Sequence, residues 1–178
     1  MKKTTLIIAL ALLTGATFAQ KKTTTSATVS FDATTPADAM PKADNKTVVA
    51  AIDTKTGDVA FEAVMKSFTF GNPMMQEHFN SEKWLDSGKF PKTTFKGKIT
   101  NLADVKFDTD GTYKANVEGD LTLHGITKPV KTTADITVAA GAISAKSAFT
   151  ISLPDYGVGD ANGKVAKEPK ITVAADLK

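Results

Sequence analysis

From Tyr113 to Leu123 the chain alternates without a break: Tyr113, Ala115, Val117, Gly119, Leu121 and Leu123 stand on one face, and Lys114, Asn116, Glu118, Asp120 and Thr122 on the other. A period of two puts successive side chains on opposite sides of a pleated strand, so this stretch reads as a strand with one dry and one wet face. The same pattern recurs at Val130, Ala134, Ile136 and Val138, at Ile143, Ala145, Phe149, Ile151 and Leu153, and at Ile171, Val173, Ala175 and Leu177. Four earlier strands are shorter: Ala27 to Phe31, Val48 to Ile52, Val59 to Met65, and Phe95 to Ile99. Turn signals such as His124-Gly125 and Ala139-Ala140-Gly141 separate the later strands. Connections this short join antiparallel neighbours and leave no room for crossover helices.

Eight antiparallel strands expose two edges unless the sheet closes on itself. The expectation is an all-β, eight-stranded antiparallel barrel of lipocalin-like form, with a two-sheet sandwich as the rival architecture. One interruption falls between strands 3 and 4, from Gly71 to Pro91, where Asn72 is placed to cap a short helix that has Pro73 at its first position. A barrel of this size is either filled by its own side chains or holds one small ligand. Ala115, Gly119, Ala134, Ala145, Ser147 and Ala175 are small residues on inward rows, which favours a cavity over a solid core.

The start of the chain has a different character. Lys2-Lys3, the uncharged apolar run Leu6 to Leu13, and small residues ending at Ala19 match a secretory leader, with cleavage expected after Ala19. The apolar run is too short to span a bilayer, so no stable membrane anchor is expected. The domain proper is then Gln20 to Lys178, exported to the periplasm. Removing Lys2 and Lys3 with the leader leaves acids and bases nearly balanced. All 22 basic residues are lysine, set against 19 acidic ones. Without arginine or a basic excess, nucleic acid is a poor partner. The absence of cysteine excludes disulfides, thiolate metal sites and cysteine nucleophiles.

Large apolar side chains gather around the helical interruption. Met65, Phe68, Phe70, Met74, Met75, Phe79, Trp84 and Phe90 form a candidate mouth for an apolar pocket, methionine being adaptable to flexible apolar partners. Tyr113, Leu121, Leu123, His124, Phe149 and Ile151, on or beside the inward rows, complete the candidate ligand-binding set. The competing reading is that the helix plugs one barrel end with ordinary core residues.

Catalytic and metal signatures are missing. His78 and His124 are the two histidines, no H-E-x-x-H or related spacing occurs, and no G-x-S-x-G elbow is present. His78 reads as a solvated helix residue. His124 ends the cleanest strand and could bond turn carbonyls or a lipid head group. A hydrolase-type enzyme using His124 and Asp155, and a filled barrel serving as an interaction module, are the rival functions. Asn45-Lys46-Thr47 matches a glycosylation sequon, a pattern frequent by chance.

Several strings resemble the YceI-like family: Met75-Gln76-Glu77-His78-Phe79-Asn80, the run Lys89 to Gly97, Gly111-Thr112-Tyr113, Gly119 to Val130, and Phe149 through Asp155-Tyr156-Gly157-Val158 to Lys167. The resemblance covers about Phe61 to Leu177. It implies a lipocalin-like periplasmic barrel that holds a long polyisoprenoid chain in its interior, and it does not imply catalysis. On that footing no cofactor is expected. The partner is an apolar isoprenoid lipid or isoprenoid quinone bound as ligand, and the oligomeric state stays open, a homodimer included.

Overall fold

The computed structural model describes residues 20–39, 41–159 and 164–178. The expected leader, Met1 to Ala19, lies outside the described residues. The strands are β1 (Lys21–Asp32), β2 (Lys42–Asp53), β3 (Asp58–Val64), a short β4 (Thr69–Phe70), β5 (Lys92–Ile99), β6 (Gly111–Leu123), β7 (Ile126–Ala139), β8 (Ala142–Thr150) and β9 (Lys170–Leu177), with one helix, α1 (Pro73–Asn80). The sheet runs β1-β9-β8-β7-β6-β5-β3-β2, and β2 returns to β1, so eight long antiparallel strands close a barrel. Two-residue β4 adds to β2. The helix falls between the third and fourth long strands, as expected from sequence.

Local chemistry explains the turns. His124 and Gly125 (φ 51 and 75) and Ala140 and Gly141 (φ 49 and 79) are two-residue hairpin loops with both residues left-handed, the geometry that matches strand twist. At α1 the Asn72 side chain accepts from the Met74 N–H at 2.9 Å, with Pro73 at the first helical position.

β1 and β2 begin earlier than their apolar patterns show, at Lys21 and Lys42. Their polar ends pair across the barrel rim, Lys21 opposite Asp53 and Asp32 opposite Lys42. Alternation in β2 is broken, because Asn45 and Val48 are both buried. Asn45 is fully buried; its amide donates to the Val64 carbonyl at 2.9 Å while its oxygen accepts from the Thr47 N–H and hydroxyl, both at 2.9 Å. The sequon is thus a strand irregularity, and the nitrogen that would carry a glycan is engaged inside the fold.

The two barrel ends differ. One is filled by Ile52, Ile99, Ile136, Val138, Ile143 and Leu177, all buried. The other is closed by α1 and the turns after it, where Phe79 meets Phe31, Phe68, Phe70 and Trp84 at ring-centroid distances of 5.9, 5.6, 4.9 and 5.5 Å.

Not every small inward residue opens space. Gly97 and Gly119 face each other across β5 and β6, and the Phe95 ring lies over both. The room expected at Gly119 is occupied by an aromatic ring.

Candidate functional site

The inward rows line a cavity of about 160 Å³. Its wall is almost wholly hydrocarbon: Val29, Val59, Phe61, Phe95, Leu121, Val130, Phe149, Ile171 and Val173 point into it from the middle of the barrel, and Met65, Phe68, Phe79 and Leu85 border it at the helical end. The polar contributions are few, Thr93, Thr94, Thr132, Lys146 and Ser147. Thr93 donates its hydroxyl to the Thr122 carbonyl at 2.7 Å. Ser147 donates to the Thr133 carbonyl at 2.7 Å, with Thr132 Oγ1 at 3.1 Å from Ser147 Oγ. The Thr93, Thr132 and Ser147 hydroxyls therefore have partners in the wall, and the remainder of the lining is overwhelmingly apolar. An apolar void of this kind excludes water and takes an apolar guest.

Of the residues predicted from sequence, Met65, Phe68, Phe79, Leu121, Leu123, Phe149 and Ile151 border the cavity. The others are placed elsewhere. Met74 is 76% exposed, on the outer side of α1, because only one stripe of so short a helix can face the barrel. Met75 is half-buried on the same helix and does not reach the cavity. Phe70 and Trp84 pack behind Phe79, at 4.9 and 5.5 Å between centroids, and so support the plug without lining the space. Phe90 stacks edge-on against His124 at 4.7 Å and covers Gly125. Tyr113 sits at the opposite end, where its hydroxyl donates to the Thr109 carbonyl at 2.8 Å. The expected mouth around the helix is therefore a plug.

Sequence reasoning did not single out Val29, Phe61, Phe95, Val130, Thr132, Ile171 or Val173 for the site. Their signal in the sequence is inward strand parity, which is weaker than the concentration of bulky side chains near the helix.

His124 Nδ1 lies 3.0 Å from the Tyr156 carbonyl, tying the β6–β7 loop to the turn Leu153–Tyr156. Tyr156 is buried, and burial first, then the Asp155 charge, raises its hydroxyl pKa above the ordinary 10.0. Asp155 is exposed. The hydrogen bond that His124 makes is to the Tyr156 carbonyl, next to Asp155 in the chain. His78 is exposed, as expected. No cluster of three or more metal-ligating side chains occurs among the described residues, and no described helix is long and apolar enough to cross a membrane.

Taken together, a closed antiparallel barrel around a hydrocarbon-walled cavity defines the class of lipocalin-like barrels. A family model for the YceI-like domain matches residues 13–177, and the chain belongs to that family. Curated relatives share a segment: a UPF0312 protein of Pseudomonas fluorescens is 44% identical over 54 residues, 30% of this chain and 26% of that one. Another, UPF0312 protein VPA0850 of Vibrio parahaemolyticus, is 42% identical over 65 residues, 36% of this chain and 30% of that one. The matched part thus spans less than a third of the length of these relatives. Solved structures agree on the fold. A polyisoprenoid binding domain from Saccharophagus degradans, implicated in plant cell wall breakdown, superposes with a TM-score of 0.75 at 11% identity, covering 89% of this chain and 98% of that one. BcnA of Burkholderia cenocepacia gives 0.69 at 18% identity, covering 85% and 96%.

Proposed function

We propose that the protein is a periplasmic carrier that binds an apolar lipid of polyisoprenoid type inside the barrel and has no catalytic activity of its own. The observation that carries this reading is the cavity wall, hydrocarbon on nearly every side, with buried apolar side chains packed at both barrel ends. Its likeness in fold to a polyisoprenoid binding domain supports the choice of ligand class. The leader read in Met1 to Ala19 supports export.

Size bears on how the ligand sits. A volume of about 160 Å³ is close to that of an engineered cavity of roughly 150 Å³ that takes one benzene. As it stands, the barrel holds one short segment of a prenyl chain. A longer chain requires Phe61, Phe95 or Phe149, which are only part-buried against the cavity, to swing aside. Affinity comes from apolar burial, at about 25 cal/mol per Å² before ordering costs.

Protein purified from its native periplasm and extracted with organic solvent should release a prenyl lipid detectable by mass spectrometry, with an N-terminus at Gln20. Absence of co-extracted lipid, together with no uptake of a fluorescent prenyl alcohol on incubation, overturns the proposal. Recovery of lipid-binding protein only from the cytoplasmic fraction of the native cells would refute the export part alone.

A further inference from the structure

The barrel wall has a break that adjoins the cavity. β7 runs from Ile126 and β8 runs on to Thr150, but the ladder between them starts at Ala139↔Ala142 and stops at Ala134↔Ser147. The opposite side of each strand stays paired, β7 with β6 as far as Ile126 and β8 with β9 as far as Thr150. The two strands therefore keep their places in the sheet while separating from each other. The break is bounded at one end by the Ser147 hydroxyl on the Thr133 carbonyl, 2.7 Å, and at the other by His124 Nδ1 against the Tyr156 carbonyl, 3.0 Å.

The sequence of β7 is adapted to this break. The loop His124-Gly125 closes the β6–β7 hairpin at Leu123↔Ile126, so main-chain bonds to β6 come from every second residue, at Ile126, Lys128, Val130 and Thr132. Thr127, Pro129 and Lys131 then direct their peptide groups toward β8. Proline has no N–H to offer a neighbour, so inside a strand it is found at unpaired edges, at the first residue or at bulges. At Pro129 it stands where β7 has lost its β8 partner.

The side chains at the break belong to the cavity. Val130 and Thr132 on the β7 side, and Phe149 and Ile151 on the β8 side, all line it. Lys146, an exposed residue of β8, borders the same space. A second interruption, where the β2–β3 ladder stops at Val49↔Glu62, is filled: Asn45 bonds the Val64 carbonyl, and buried Met65 and Phe68 follow.

We infer that the unpaired interval between β7 and β8, from Ser147 to the His124–Tyr156 contact, is the portal through which an apolar chain passes sideways into the barrel. The inference rests on the lipid-binding reading above. Passage there leaves the aromatic plug under α1 and the aliphatic plug at the far end in place, and it requires no ladder bond to break.

The chain has no cysteine, so introduced thiols are unique. Lys131→Cys with Thr150→Cys places one thiol on each side of the break. Uptake of a pyrene-labelled prenyl alcohol, followed by stopped-flow fluorescence, should slow at least tenfold when this pair is oxidised and recover on reduction, with the final amplitude retained. Should the pair fail to oxidise, Thr150→Cys alkylated with a bulky maleimide is compared with Lys114→Cys alkylated alike, a position on the outer face of β6; slowing is expected only for the former. Unchanged rates in the oxidised pair, or equal rates for the two alkylated proteins, overturn the portal while leaving lipid binding intact. If the unaltered protein takes up no probe, the lipid-binding reading itself fails and the portal falls with it.

Discussion

Replacing Gly119 with alanine tests how closely β5 and β6 approach under the Phe95 ring. A Cβ there would stand 2.4 Å from Gly97 Cα, 2.4 Å from the Lys96 carbonyl oxygen and 2.7 Å from Phe95 Cζ. Neither Gly97 nor Gly119 has a left-handed backbone, so the glycines serve proximity and not conformation. Restricting the unfolded chain favours alanine by about 0.5–1 kcal/mol. Overpacking opposes it by roughly 1–3 kcal/mol, toward the upper part of that range because two of the three clashes are with backbone and no rotamer relieves them. The net loss is about 1–2 kcal/mol. For a domain of this size each kcal/mol moves Tm by roughly 2–4 °C, so thermal unfolding should fall by about 2–8 °C. Gly71→Ala is the control, since a Cβ there meets nothing within 4 Å. Displacement of Phe95 toward the cavity should also reduce uptake of a prenyl probe. A Gly119→Ala midpoint equal to or above that of Gly71→Ala would refute the close-approach argument.

Three further changes separate the elements of the fold. Phe79→Ala removes the ring that four other aromatics contact, and Phe79 is 4% exposed, so chemical denaturation should show a loss of about 3–5 kcal/mol; a loss under about 1 kcal/mol would mean the plug is not a packed unit. Asn45→Ala removes the amide that bonds the Val64 carbonyl and the Thr47 N–H, at about 0.5–1.5 kcal/mol for each bond because both of those residues reach solvent, and urea midpoints matching the unaltered protein would show that water replaces the amide. At the rim, Asp32 is held below the ordinary value of 3.8 chiefly by the Thr34 hydroxyl, then by the Thr34 N–H and the Lys42 ammonium. A carboxylate with a lowered folded pKa stabilises above its unfolded value and loses that contribution as pH falls through the folded one. Asp32→Asn should therefore shallow the fall in stability below the ordinary aspartate range, measured by urea midpoints across acid pH; an unchanged slope would sink the assignment.

The strand pattern was legible because burial of one face imposes a period of two, and β6 to β9 follow it nearly throughout. The apolar patterns of β1 and β2 are shorter than the strands because the outer ends are held by main-chain pairing between the two strands, and lysine and threonine side chains carry no record of that. The helix cap was legible from Asn72 and Pro73 because capping is local chemistry. The candidate site was half legible. Inward parity marked Leu121, Leu123, Phe149 and Ile151 correctly as facing the interior, whereas the clustering of Met74, Met75, Trp84 and Phe90 in the chain said nothing about which of them the helix would turn outward.

By itself the sequence determined an antiparallel all-β chain, the place of its helix, the absence of thiol chemistry, and the resemblance that membership of the YceI-like family bears out. These follow from side-chain type and spacing along one strand or one turn. Only the tertiary structure decided that Gly119 makes room for a ring and not for a ligand, that the aromatic cluster is a plug, and that β7 and β8 part at Ser147. Each of those depends on what stands opposite a residue across the barrel, and that distance is set by closure of the sheet, not by neighbours in the chain.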